Sequence, residues 1–149
     1  MAHYFLDSSV LVKRYIREAG TARVVELVRG STRLGVARIA IVEVTATLAR
    51  RCRGGDLDVR VLAGILGATE DEFGRRFEEQ PLTDAILAQS VYMARTHALR
   101  AADAIQLASA VYFADQLDDR AEVVFVSSDE ELNEAARREA LAVLDPALE

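Results

Sequence analysis

The chain has 149 residues, enough for one domain of ordinary size and too few for separate substrate and catalytic domains, so one core over residues 1–149 is expected. With 51% hydrophobic and 28% charged residues and only 8 Gly and 2 Pro, the composition excludes disordered, collagen-like and low-complexity chains. The net charge of -6 argues against a dedicated duplex-binding module, which a basic surface marks, but leaves open an enzyme that acts on nucleic acid.

In chain order, Tyr4-Phe5-Leu6 is a short apolar run that stops at Asp7-Ser8-Ser9, a cluster suited to a helix start. Val10, Leu11, Tyr15 and Ile16 then fall on one helical face. A second amphipathic helix over 21–28 is followed by Gly30-Ser31 and a short strand over 34–37. A helix over 38–53 ends at Gly54-Gly55, a suitable C-terminal stop. Residues 56–77 read as one or two helices, with a weak strand over 77–80 before Pro81. The helical patterns over 83–98 and 101–117 are rich in Ala, which permits close packing on a sheet. Val123-Val124-Phe125-Val126 is the clearest strand; it stops at Ser127-Ser128-Asp129, where another helix begins, and 141–144 reads as a last strand. Strands alternating with helices predict an α/β domain with a mainly parallel sheet.

In such a sheet, ligands bind outside the carboxyl ends of the strands, where Asp7 and Asp129 stand by sequence alone. The same two residues fit helix capping, and Ser128 with Glu131 matches the S-x-x-E capping box. Asp103 lies near the start of a helix, where a carboxylate favours the helix dipole, and its neighbours Leu107 and Ala110 place it on an apolar face. Glu43 interrupts an apolar stretch and has Ala46 and Thr47 at i+3 and i+4, so it is expected to face solvent or to meet a cation.

If the four acids converge, they raise one another's pKa unless a cation neutralises them. Cys52 is the only cysteine, which excludes an intramolecular disulfide and favours a cytoplasmic protein; with His3 and His97 it supplies too few soft ligands for structural zinc. Any metal would therefore be a hard ion held by oxygen, Mg²⁺ or Mn²⁺. Neither a signal-peptide stretch nor a membrane-spanning run is expected. Dinucleotide and P-loop motifs are absent, a receiver domain would want a late lysine whereas the sole Lys is Lys13, and Ser8 or Ser9 has no nearby motif that supplies a base for nucleophilic catalysis. Cys52 beside Arg51 and Arg53 fits a packed helix cysteine better than a reactive one.

Four stretches, Tyr4 through Lys13, Val42-Glu43-Val44, Leu99 through Ala110 and Phe125-Val126-Ser127-Ser128-Asp129, together resemble the PIN-domain family and, within it, the VapC-like toxin ribonucleases of toxin-antitoxin pairs. The resemblance covers nearly the whole chain. It implies a three-layer α/β/α sandwich with a mainly parallel central sheet, and a metal-dependent endoribonuclease that holds one or two Mg²⁺ or Mn²⁺ ions. Asp7, Glu43 and Asp103 fall on the family's three main acidic positions and Asp129 on the fourth, more variable one. Ser9 and Ser127 stand where small polar residues often accompany the site. Arg50, Arg51 and Arg53 form a basic helix end that could contact RNA backbone, and equally a solvated surface. The resemblance also implies a small antitoxin partner and allows a homodimer. A catalytically idle PIN-like assembly module and a phosphohydrolase of small phosphate compounds are the competing functions.

Overall fold

A computed structural model of the chain describes residues 2–30, 33–117 and 120–148. Five short strands, β1 (His3–Leu6), β2 (Leu34–Ala37), β3 (Glu78–Gln80), β4 (Val123–Val126) and β5 (Ala142–Leu144), form one sheet in the order β3-β2-β1-β4-β5. Every neighbouring pair is parallel. The connecting helices are α1 (Ser8–Tyr15), α2 (Thr21–Gly30), α3 (Ala40–Arg53), α4 (Val59–Arg75), α5 (Asp84–His97), α6 (Ala101–Asp115) and α7 (Glu130–Arg138).

Parallel neighbours need crossover connections of constant hand. The chain therefore steps from β1 to β3 with α1 to α4 over one face, and returns to β4 and β5 with α5 to α7 over the other. Side chains that alternate along each strand feed the two cores in turn. Leu6, Leu34, Val36 and Val126 pack with Val10, Leu27, Val44 and Phe73. Phe5, Ala37, Val123 and Phe125 pack with Met93, Leu107, Phe113 and Leu132. Both faces being covered explains why the central strands β1, β2 and β4 read as largely apolar runs, while the edge strand β3 is polar. The α/β/α sandwich expected from the sequence is the observed architecture.

One glycine decides how closely α6 approaches the sheet. Gly35 pairs with Phe5, and a Cβ at Gly35 would stand 2.9 Å from ring atoms of both Phe5 and Phe113. Without that Cβ, the Phe113 ring settles against Phe5 with centroids 5.9 Å apart, and Phe5 in turn stacks on Phe125 at 6.1 Å. Buried Ala104, Ala108, Ala110 and Ala114 keep the rest of α6 equally near.

Several local expectations shift. Helix α2 runs through Gly30, and Ser31 of the expected break lies outside the described residues. Helix α3 starts at Ala40 rather than at residue 38, because the Arg38 amide still donates to the Gln80 carbonyl and prolongs the β2 edge. Residues 59–75 form one helix, capped by Asp58, whose side chain accepts from the Arg60 amide. The Ser128–Glu131 capping box is not formed: Asp129 is the N-cap of α7, accepting from the Leu132 amide at 3.0 Å, while Ser128 Oγ donates to Asp145. Among the described residues, no helix is long and apolar enough to cross a membrane.

Candidate active site

The helix after β1 covers one face of the sheet and the helix after β4 covers the other, so a crevice opens at the carboxyl ends of these adjacent central strands. Asp7 follows β1 there, and Asp129 lies three residues beyond β4. Both cap a helix, as the sequence allowed, and both also line a cavity of about 360 Å³. Capping and site formation are compatible here because an N-cap carboxylate has a second oxygen to offer. Asp103, in the first turn of α6, lines the same cavity.

Asp7 is buried at 3% exposure. Its Oδ2 accepts from Ser9 Oγ at 2.7 Å, from Ser127 Oγ at 3.0 Å and from the Ser9 amide at 3.3 Å. Its Oδ1 is buried and has no hydrogen-bond partner. Burial pushes the Asp7 carboxyl above its ordinary range, and the bonds from Ser9 and Ser127 only partly offset this.

The two serines also join the two loops. Ser9 Oγ accepts from the Ser128 amide at 3.2 Å, and Ser127 Oγ accepts from the Asp129 amide at 3.0 Å. Asn133 Nδ2 donates to the Ser127 carbonyl at 2.8 Å, which ties this loop to α7. Ser9 and Ser127 thus both donate to the Asp7 carboxylate.

Glu43, on α3, sits behind the cavity and contacts it through Ser8, whose Oγ donates to Glu43 Oε2 at 3.2 Å. Its other oxygen accepts from Gln106 Nε2 at 2.7 Å. Neutral donors from two other helices, Ser8 of α1 and Gln106 of α6, thus meet this partly buried carboxylate. Burial raises its pKa, the Asp7 charge adds to the rise, and the bonds from Gln106 and Ser8 oppose it.

For Asp103, burial and repulsion from Asp7, Asp129 and Glu43 raise the pKa to about 6, against a small opposing pull from Arg100. Each of the four acidic positions therefore bears on one place. Asp7, Asp103 and Asp129 do so directly, and Glu43 does so through Ser8 and its field.

Of the basic helix end, only Arg51 reaches the cavity lining; Arg50 and Arg53 are exposed and do not line it. Sequence reasoning assigned no role to Gln106, which is fully buried, or to Lys13 and Glu18, which line the cavity together with Arg51. Glu18 accepts from Lys13 Nζ at 3.1 Å and from Arg51 Nη2 at 2.8 Å. Burial tends to raise the Glu18 pKa, but these bonds and charges outweigh it and hold the carboxyl below its ordinary range. A buried polar residue inside an apolar helical pattern was the available signal for Gln106 and Lys13.

The PIN domain family model matches residues 4–138. Ribonuclease VapC45 of Mycobacterium tuberculosis is 35% identical over 111 residues, which cover 74% of this chain and 76% of the relative. Two solved structures superpose with a TM-score of 0.66 at 14% identity. One is a toxin-antitoxin complex from Klebsiella pneumoniae, covering 96% of this chain and 97% of that one. The other is VapC20 of Mycobacterium tuberculosis, described as a Sarcin-Ricin loop cleaving toxin, covering 89% of this chain and 94% of that one. At that identity the superpositions speak for the fold, while the family match and the VapC45 relative speak for kinship. With the acidic positions gathered where the strands end, the chain belongs to the PIN-domain family.

Proposed function

We propose that this protein is a metal-dependent endoribonuclease, the toxin of a toxin-antitoxin pair. The observation that carries the reading is the convergence of Asp7, Asp103 and Asp129 on one cavity, with Glu43 held behind them and, among the described residues, no basic side chain in an ion pair with any of the four. Such a set destabilises the fold unless a cation or substrate compensates, which is the mark of a working site. The naming of VapC45 as a ribonuclease and of VapC20 as a Sarcin-Ricin loop cleaving toxin supports the same reaction class.

The donors fit Mg²⁺ or Mn²⁺. They are all oxygen, they repel one another, and Asp7 Oδ1 is a buried acceptor with nothing to accept from. Among the described residues, no three acidic, imidazole or thiol groups form a ready-made cage. That suits an ion held by one or two carboxylates, with water and substrate phosphate completing its shell. Asp7 and Asp103 would be the main holders, with Glu43 and Asp129 ordering water or a second ion. When bound, the metal supplies charge neutralisation and a lowered pKa for the attacking water.

The chain's own part is positional. Ser9 and Ser127 fix the Asp7 carboxylate, Ser8 and Gln106 fix Glu43, and the α7 cap fixes Asp129. An antitoxin partner and self-association belong to the same proposal. The Klebsiella pneumoniae complex supports the partner, and exposed Val42, Val59 and Val61 on α3 and α4 offer apolar surface for one. The test is incubation of total RNA with the purified, antitoxin-free protein in Mg²⁺ or Mn²⁺, beside EDTA and a folded Asp103→Asn variant. Discrete metal-dependent products lost in the variant are expected; absence of products from folded wild-type protein in both metals would favour an assembly module instead.

A further inference from the structure

Besides the aspartates, the cavity is lined by two cations and one carboxylate, a combination the four acidic positions do not account for. Lys13 lies on the inward side of α1 among buried Val10, Leu11 and Val12, where an apolar side chain would pack without cost. Its side chain is 11% exposed. Glu18, on the α1–α2 connection, is set by its own amide, which donates to Thr21 Oγ1 at 2.9 Å, while Thr21 Oγ1 donates to the Ile16 carbonyl. Arg51 arrives from α3, one turn beyond Thr47, which lines the cavity too. Glu18 bridges the two cations, with Lys13 Nζ on one oxygen and Arg51 Nη2 on the other. An ammonium has three donors and a guanidinium five, so each keeps N–H groups beyond the one given to Glu18. The wall carries one net positive charge beside a wall that carries only negative ones.

We propose that Lys13 and Arg51, bridged by Glu18, form a phosphate-binding subsite that holds a phosphodiester group of the bound strand while its neighbour meets the carboxylates. The choice of RNA as ligand rests on the ribonuclease reading above. Arg51 presents its free N–H groups to the phosphate oxygens, a geometry that guanidinium matches well. Lys13 supplies charge from beneath, and Glu18 is a positioning residue that keeps two mutually repelling cations side by side. Arg50 and Arg53, outside the lining, take no part.

The experiment is fluorescence anisotropy with a short fluorescein-labelled single-stranded RNA of mixed sequence, titrated at several KCl concentrations. The background is Asp103→Asn, with a gel to confirm that the probe stays intact. Arg51→Gln should weaken binding about tenfold and reduce the salt slope by roughly 0.7, as the loss of one phosphate contact requires. Arg51→Lys should recover part of the affinity. Arg29→Gln, on the last turn of α2, which leads into the amino end of β2 and so lies at the opposite end of the parallel strands from the site, should change neither. Glu18→Gln separates positioning from plain charge. It makes the protein less negative, so charge alone predicts tighter binding, whereas a positioning role predicts weaker binding.

An unchanged slope in Arg51→Gln, or tighter binding by Glu18→Gln, overturns the proposal. The Arg51 side chain is 36% exposed, so its replacement leaves the fold intact and decides the matter alone if Glu18→Gln unfolds. Wild-type cleavage is scored separately. Arg51-dependent binding without cleavage retires the nuclease and keeps the subsite; cleavage with Arg51-independent binding does the reverse.

Discussion

At and behind one wall of the cavity, Asp7 and Glu43 accept only from neutral donors and Asp103 feels only a small pull from Arg100; burial holds all three above their ordinary pKa values, and repulsion from the other acids adds to it at Glu43 and Asp103. On the other wall, Glu18 is as much a part of the lining, yet Lys13 and Arg51 hold it below. The same chemical group is therefore kept in opposite electrostatic conditions across one small space. A carboxylate whose charge is balanced within the chain contributes to the fold. A set left unbalanced costs stability and keeps its affinity for something that arrives from outside. The direction of the shift, more than the degree of burial, tells the two walls apart.

The harshest way to break the comparison is to remove an unbalanced acid. Asp7→Asn or Asp103→Asn should lower the rate of RNA cleavage by about 10³-fold or more, since a metal's charge stabilisation is worth several kcal/mol. Single-turnover cleavage at saturating Mg²⁺ measures it, and a rate within tenfold of wild type would place the chemistry elsewhere. Ser127→Ala acts one step back. It removes a donor to Asp7 and the acceptor for the Asp129 amide, so about a 10- to 100-fold loss of rate is expected with the carboxylates still present. Restoration by Ser127→Thr, which keeps the hydroxyl, would separate this from general disruption.

Stability against pH gives the third contrast. The Asp103 pKa is raised from 3.8 to about 6, so the folded state favours its protonated form. Its contribution is fully present below pH 3.8 and is lost as pH rises through about 6. Glu18 has the opposite sign: its contribution is present above its ordinary 4.5 and is lost as pH falls through its lowered folded value. Thermal melts in EDTA should therefore show falling stability between about pH 4 and about pH 6 from the acidic wall alone. Mg²⁺ should flatten that fall, and so should Asp103→Asn. A metal-free protein whose stability rises across this window would contradict the assignment of Asp103 to a repelling cluster.

The sequence carried most strands and helices well because β1, β2 and β4 are largely apolar runs in the middle of the sheet and each long helix keeps its period, whereas β3 is a polar edge strand, Glu78-Glu79-Gln80, with only a weak signal. The acidic positions were accessible too. Asp7 and Asp129 stand at strand ends, and the order of the four stretches matched a known family. What it did not carry are contacts between residues far apart in the chain. Gln106 reaches Glu43 across 63 positions and Arg51 reaches Glu18 across 33, and both depend on how α3 packs. The Ser128–Glu131 expectation failed by one residue, because Ser128 had Asp145 as a partner that local spacing does not reveal. The donors to Glu43 were out of reach for a related reason: a search at i+3 and i+4 sees one helix, and Ser8 and Gln106 come from two others.

The smallest effect tests the two walls with one chemical change. Glu43→Gln keeps the shape of the side chain and its bonding to Gln106 and Ser8, since an amide offers an acceptor and a donor that Ser8 Oγ can receive. It removes a charge that repels Asp7, so the metal-free protein at pH 8 should be unchanged or slightly more stable. Glu18→Gln keeps the shape equally well but leaves nearly buried Lys13 without its counter-charge, and should cost about 1–2 kcal/mol, or roughly 3–6 °C in Tm. Paired melts of the two variants measure the difference directly. Equal destabilisation would mean that both carboxylates serve the fold alike and that the contrast between the walls has no energetic content. Opposite signs would show that the chain supplies the countercharge for Glu18 and leaves that of Glu43 to its surroundings.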